Sequence, residues 1–584
     1  MDSLDAFDGD EDAALRYAIA LSLQEAGPSS SEKPIEIDSD SDDNNTAKES
    51  SQPLVVKEHK ELPTRPGSRD TPLNNAPLAP QQPAPTASGG FAGLDRKKME
   101  EERLARQRKR KAVEPEPHDE GRRQRPKLDA EPPAKLAINP SLDSLPYPKG
   151  TVKKTWASGF PRENDIKIEE VLQKEELELA VISSFQWDEL WMLSKIDCRT
   201  TKVVCVAFAL NEAQQKEMEG NVPDRSSIKF CFPPMTATGN MHSKLQLLKY
   251  PRYLRIVVPT GNFVPYDWGE TGVIENTVFL IDLPRIDDPE LRPKDLGPFG
   301  EELQYFLRAQ GLMESLISSL ANYDFSEANR YRFVHTIGGS HVGDKWQRTG
   351  YCGLGRAIKS LGIDTTGHIE VDFVASSLGS LNTDLLSAIY YAAQGDDGMK
   401  EYGMRTAKGK NKGSTQTKLD LGDKFRIYFP SRESVMQSRG GKNAAGTICT
   451  QSKWWDSATF PRELIRDCQS VRAGLLIHSK IMFVRNSQAG KSTPAFAYVG
   501  SANLSESAWG RLTKERGTGN PKLTCRNWEC GVIIPITPQA VGENGSQPSP
   551  SLSDFNDTIP VPMKVPGDAY GATKTKRPWL FLEN

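Results

Sequence analysis

HSKLQLLKYPRYLRIVVPTGN, His242 to Asn262, and HSKIMFVRN followed by FAYVGSAN, His478 to Asn503, follow one plan. Each begins His-Ser-Lys, continues through two apolar strand-like runs, and ends on a small residue and Asn. The chain has only seven histidines, and two of them open this phrase. From Lys to Asn the spacing is 18 positions in one copy and 23 in the other. The copies differ mainly in the connecting loop. Their separation of 236 residues points to an internally duplicated fold with one half-site in each half.

The residue types suit one kind of chemistry. In an extended strand, side chains at i and i+2 share a face, so His and Lys of each phrase project together. Two copies face to face would gather two imidazoles, two ammonium groups and two amides around a small anion. A phosphodiester repels nucleophiles by its charge; two lysines neutralise it, and asparagine amides donate further hydrogen bonds as charge develops. A neutral imidazole can attack phosphorus and become covalently attached. A protonated one can donate to the leaving oxygen and then activate water.

Outward from these phrases, apolar runs alternate with helical stretches and polar loops: LELAVISSF, TKVVCVAFAL, LRIVVPTGNF and TVFLIDL. That alternation predicts an α/β protein with largely buried strands. The predicted organisation is a disordered N-terminal tail over 1–148 and two domains, 149–333 and 334–584, each an α/β/α sandwich, related by pseudo-twofold symmetry. Residues 27 to about 145 are rich in Pro, Ser and charge and poor in aromatics, which cannot offset the entropy of ordering. Net charge is −3, no apolar run reaches the ~18 residues of a membrane helix, and the N-terminus is acidic rather than signal-like. A soluble protein that does not engage membranes is expected. The eight cysteines are scattered without a CxxC pair and read as reduced core residues, not as a disulfide framework or a zinc site.

Three features punctuate the tail. Within residues 10–26, Leu15, Ala18, Ile19, Ser22 and Leu23 recur at helical spacing behind an acidic start, and the stretch resembles the ubiquitin-interacting motif. Residues 34–43, PIEIDSDSDD, resemble a SUMO-interacting motif; a plain acidic linker is the other reading. Within 106–127, RQRKRK and RRQRPK form a two-part basic cluster that predicts nuclear import, with contact to DNA phosphates as a compatible role.

The two phrases resemble the HxK…N motifs of the phospholipase D superfamily. The superfamily usually continues HxKxxxxD, but the positions in question hold Lys249 and Arg485. The tyrosyl-DNA phosphodiesterase branch also lacks that acid, and the similarity to it runs from about 149 to 579. It includes TGNFVPYDW, VASSLGSL, GSANLSESAWG and NWECGVIIP. The resemblance implies that His242 is the nucleophile, that His478 is general acid then base, and that Lys244, Lys480, Asn262 and Asn503 bind phosphate. Glu529 matches the acid that supports the nucleophilic His. Support of His478 falls by resemblance to Asn276, with Glu275 as runner-up. Ser376, Ser377, Gly379 and Ser380 match a DNA-backbone loop, with a polar turn as the alternative. Phe185 matches an aromatic on the peptide side of the site, or is core. Trp509 reads as packing.

The implied activity is hydrolysis of a 3′-phosphotyrosyl or similar adduct on single- or double-stranded DNA, including topoisomerase I-derived peptide, by a monomer that needs no metal or cofactor. A nuclease or lipase of the same superfamily, or a ubiquitin- and SUMO-reading adaptor with a retired catalytic fold, are the rival readings. Deleting residues 1–45 is expected to weaken capture on immobilised ubiquitin and leave turnover of a free oligonucleotide unchanged. Unaltered capture with impaired turnover would contradict the recruiting role.

Overall fold

The computed structural model describes residues 145–222, 224–236, 238–407, 419–486, 495–536, 551–571 and 576–581. The segments 10–26, 34–43 and 106–127, and the tail reading over 1–144, lie outside them. The fold begins slightly before the expected boundary. Leu145 is buried, and the Tyr147 amide donates to Asp282 Oδ2 at 3.0 Å.

Strands rich in Val, Ile, Leu and Phe with apolar residues on both faces build two buried sheets. In the first, seven strands run in the spatial order Thr151–Thr155, Thr277–Pro284, Tyr253–Pro259, Gln246–Lys249, Leu179–Ser183, Lys202–Val206, Ile228–Cys231, with Asp165–Ile166 added at one edge. The second runs Arg332–Thr336, Asn527–Pro535, Phe496–Gly500, Lys480–Asn486, Ile369–Val374, Phe425–Phe429, Ile465–Asp467. The two orders are the same when each half is numbered along the chain. In both, the first four contacts are antiparallel and the last two parallel. The repeat glimpsed in two phrases therefore extends to seven strands per half. This is the phospholipase-D-like α/β fold.

Strand alternation assigns the layers. Leu254, Ile256 and Val258 meet Ile481, Phe483, Val532 and Ile534 in a central core that also takes helix Gly297–Gln310. The opposite faces carry Val257 and Leu280 against helices Ile168–Leu172 and Glu189–Lys195, and Met482 and Ile533 against helices Gly350–Ser360 and Thr383–Ala393. The two sheets thus lie back to back, with helices outside. Both Asn residues of the repeated phrases fall three positions past the end of a strand, after Pro259 and after Gly500.

Lys249 and Arg485, which occupy the position of the superfamily's missing acid, make ordinary ion pairs away from the phrases. Lys249 Nζ reaches Glu178 at 2.7 Å, and Arg485 reaches Asp372 at 2.6 Å. The eight cysteines are free, and six of them are buried.

One buried ion pair ties the first sheet. Arg255 and Asp282 face each other across neighbouring strands; Nε and Nη2 donate to the two carboxylate oxygens at 2.7 and 3.0 Å, and both side chains are fully enclosed. Removing one partner strands the other charge in the interior. Asp282→Ala is expected to lower the unfolding free energy by about 3–5 kcal/mol in urea titration; a loss under about 1 kcal/mol would contradict this.

Candidate active site

Each His-Ser-Lys phrase is delivered by a short exchange between the halves. Asn240–Met241 pairs in parallel with Asn527 and Trp528 of the second half, and the His242 amide donates to Trp528 O at 3.0 Å. Leu476–Ile477 pairs in parallel with Ile274–Glu275 of the first half, and the His478 amide donates to Glu275 O at 2.9 Å. The middle serines anchor behind the site: Ser243 bonds Ser183 at 3.0 Å, and Ser479 bonds Thr277 of the other half at 2.9 Å. His and Lys, two apart, are left to share the front.

The supporting acids are exchanged in the same way. His242 Nδ1 lies 2.9 Å from Glu529 Oε2, whose carboxylate accepts from Ser501 Oγ at 2.5 Å and from Asn527 Nδ2 at 3.0 Å. With Nδ1–H directed at the carboxylate, Nε2 of His242 keeps its lone pair. His478 Nδ1 lies 3.0 Å from Asp267 Oδ1, a close contact poorly aligned for a hydrogen bond. Asp267 accepts from the Asn262 amide at 2.6 Å and from Asn276 Nδ2 at 3.1 Å.

The expectation that Asn276 supports His478 is therefore corrected. Asn276 stands one step back and orients Asp267, while its carbonyl oxygen accepts from Thr260 at 2.9 Å. Glu275 does not reach the ring either; it binds Ser470 and Arg472 of the second half. Asp267 went unread because it sits in a turn, YDW, where a carboxylate usually caps backbone. That turn is built by close packing: Gly269 has φ +79°, and a Cβ there would lie 1.6 Å from Trp156 O.

Both lysines are enclosed. Lys244 Nζ donates to His242 O at 2.8 Å; Lys480 Nζ donates to His478 O at 2.5 Å and to Thr260 O at 3.3 Å. Burial pushes the Lys244 ammonium down to about 8 and Lys480 well below its ordinary value, the latter aided by repulsion from Lys244. Burial also takes both histidines down to about 4, against the opposing pull of Glu529 and Asp267. Glu529 and Asp267 stay below the usual carboxylate values: burial alone would raise them, but the neighbouring histidines and lysines outweigh it. Each imidazole senses the lysines of both phrases, so the two sets share one electrostatic site.

The amides complete it. Asn503 Oδ1 accepts from the Ser376 amide and hydroxyl, both at 3.2 Å, and from the Ser377 amide at 3.0 Å. Three donors on one atom identify it as the oxygen and leave the NH2 as the donor end. Asn262 Nδ2 donates to Gln186 Oε1 at 3.3 Å, and its Oδ1 is buried without a partner. The serine loop lies against Asn503. Ser376 is buried and engaged with Asn503, and the Gly379 amide donates to Leu504 O. Only Ser377, half-buried, and Ser380, exposed, face outward. The Phe185 ring, also half-buried, sits 5.3 Å from that of His242. Trp509 is buried in the outer core of the second sheet.

Comparisons with known proteins cover the same folded region. A family model described as tyrosyl-DNA phosphodiesterase matches residues 151–571, and one described as ubiquitin interaction motif matches residues 10–26. Tyrosyl-DNA phosphodiesterase 1 of Arabidopsis thaliana is 24% identical over 430 residues, 70% of this chain and 64% of that protein. A probable tyrosyl-DNA phosphodiesterase of Caenorhabditis elegans is 24% identical over 308 residues, 51% of this chain and 62% of that one. The chain thus spans just under two thirds of the length of these curated relatives. The crystal structure of the yeast tyrosyl-DNA phosphodiesterase aligns with a TM-score of 0.51 at 16% identity, covering 74% of this chain and 100% of that one.

Asp267→Asn keeps the volume and removes the charge facing His478. It is expected to lower kcat by roughly 10–100-fold, the scale on which supporting partners act, and to change the alkaline and acid limits of the kcat–pH profile. An unchanged profile with normal kcat would show that Asp267 only braces the turn.

Proposed function

Because the chain belongs to the tyrosyl-DNA phosphodiesterase family, matched over 151–571, we propose that it is a DNA-repair phosphodiesterase that releases tyrosine or a similar adduct from a DNA 3′ end. The observation that carries this reading is the crossed pairing of each imidazole with a carboxylate from the opposite half, beside two buried lysines. Neither half alone holds a complete His–acid pair. The same symmetry supports two domains, 149–333 and 334–584, although strand Arg332–Thr336 of the second sheet straddles that boundary.

In the first step His242 Nε2 attacks phosphorus, a P–N bond forms, and the P–O bond to the phenolic oxygen breaks. His478, protonated once the phosphate's negative charge enters beside it, gives its proton to that oxygen. In the second, His478 takes a proton from water, the hydroxide attacks phosphorus, and the P–N bond breaks. The products are a 3′-phosphate and free tyrosine or peptide. Lys244 and Lys480 counter the phosphoryl charge, with Asn262 and Asn503 directing their amides at its oxygens. A phenol of pKa near 10 leaves far more readily than a deoxyribose alkoxide, which favours an aryl adduct over intact DNA. The lysines supply the charge that a metal gives other phosphodiesterases.

Two lysines enclosed beside two histidines favour this reading over the retired-enzyme alternative, because burying ammonium groups is costly without an anion to receive. A ubiquitin interaction motif at 10–26 would bring the enzyme to ubiquitin-marked protein–DNA adducts, and the basic pair within 106–127 would bring it to the nucleus.

Incubated with a 3′-phosphotyrosyl oligonucleotide, His478→Ala is expected to accumulate a covalent protein–DNA species on a denaturing gel, because attack outruns release. His242→Ala should form none. Equal adduct with both variants would overturn the assignment of roles.

A further inference from the structure

Directly before the strand that carries Glu529 lies a small antiparallel sheet of Gly339–His341, Pro521–Cys525 and Arg511–Lys514. Its inner face is apolar: Leu512, Leu523 and Cys525 are buried in the outer core of the second half. The outer face is built differently. Ser340, Thr524 and Arg511 stand opposite one another in a single row across all three strands, and Lys522 faces Thr513 in a second row. Ser340 and Thr524 are exposed and their hydroxyls lie 3.3 Å apart; Arg511, Thr513 and Lys522 are half-buried.

Three hydroxyls and two cations occupy this face, and one of the cations, Arg511, is paired with Glu506 at its edge at 2.6 Å. They are the groups that hold nucleic-acid phosphates without reading bases. The sequence agrees: residues 511–526 contain five Lys or Arg and one Glu. The sheet also stands beside the site. One residue, Arg526, separates its central strand from the catalytic strand, and a Cβ on Gly239 would lie 3.0 Å from Arg526 O, so its base abuts the segment leading to His242. From Thr524 to Glu529 the chain can span at most ~17 Å at ~3.3 Å per residue, about five phosphates of a B-form strand at ~3.4 Å each.

We propose that this outer face is a track for the phosphodiester backbone of the DNA, several nucleotides away from the reacting phosphorus. It rests on the activity proposed above and adds to it a preference for longer DNA. The track contributes to binding, not to bond cleavage, and its contribution weakens with salt.

The test compares Lys522→Glu, Lys522→Arg and the unchanged full-length protein on two substrates. One is a 3′-phosphotyrosyl dinucleotide; the other carries the same linkage on a 20-base-pair duplex. Lys522→Glu is expected to raise KM for the duplex about tenfold at low salt, to flatten the slope of log KM against log salt by about 0.9 per lost contact, and to leave dinucleotide kcat/KM within about twofold. Lys522→Arg should retain duplex KM. Affinity for a fluorescent duplex ending in 3′-phosphate, which needs no turnover, should fall with Lys522→Glu in parallel. Equal losses on both substrates, or no loss on either, overturns the track. So does a loss that grows with the length of the adduct peptide rather than of the DNA, which would make the partner protein. Absence of turnover by the unchanged protein on both substrates would refute the proposed activity, while the duplex-affinity arm still decides the track.

Discussion

Two ammonium groups buried beside each other set the terms for the rest of this molecule. Like charges in a site with little water repel strongly, and Lys480 is driven down in part by Lys244. Each is held by the carbonyl of its own histidine, and their charges are balanced by Glu529 and Asp267, also enclosed. Such an arrangement persists only where every charge has a partner within reach, since an unpaired buried charge costs several kcal/mol. The fold meets that demand by exchange. Short parallel pairings carry His242 onto the second half and His478 onto the first, where the acids wait. The halves are thereby locked by their chemistry as well as by the shared core.

That exchange also explains how two chemically similar histidines come to differ. The acid at His242 is fixed by Ser501 and Asn527 and aligned with the ring, which favours a directed Nε2 lone pair. The acid at His478 belongs to a turn, is tied to the amide of Asn262, the residue proposed to bind phosphate, and meets its ring at a poorer angle. A proton on His478 is thus coupled to the position of Asn262, the residue that would sense phosphate. A nucleophile needs constancy; a group that gives and then takes a proton benefits from a partner that responds to occupancy.

Much of the fold could be read from the chain, for identifiable reasons. The strands alternate between two buried faces, so runs such as LRIVVP announce themselves, and the paired phrases disclosed the duplication. Glu529 was reached through the family resemblance carried by the run NWECGVIIP. Asp267 was not, because its role depends on a residue 211 positions away, and nothing local separates it from a capping acid. The bond from Ser376 to Asn503 was equally hidden, because nothing in SSLGS says which hydroxyl turns toward a residue 127 positions away. The small sheet was only hinted at by the basic run 511–526, since its face is assembled from Ser340, Arg511, Thr513, Lys522 and Thr524 by register.

The convergence of both His–Lys pairs on one phosphorus is tested most directly by a crystal structure with orthovanadate, which takes the five-coordinate geometry of phosphoryl transfer. The expected result is vanadium bonded to His242 Nε2, with an oxygen on the opposite apex in hydrogen-bond reach of His478 and Lys244, Lys480, Asn262 and Asn503 around the equatorial oxygens. Vanadate held by the groups of one half alone, with the other histidine out of reach, would contradict it.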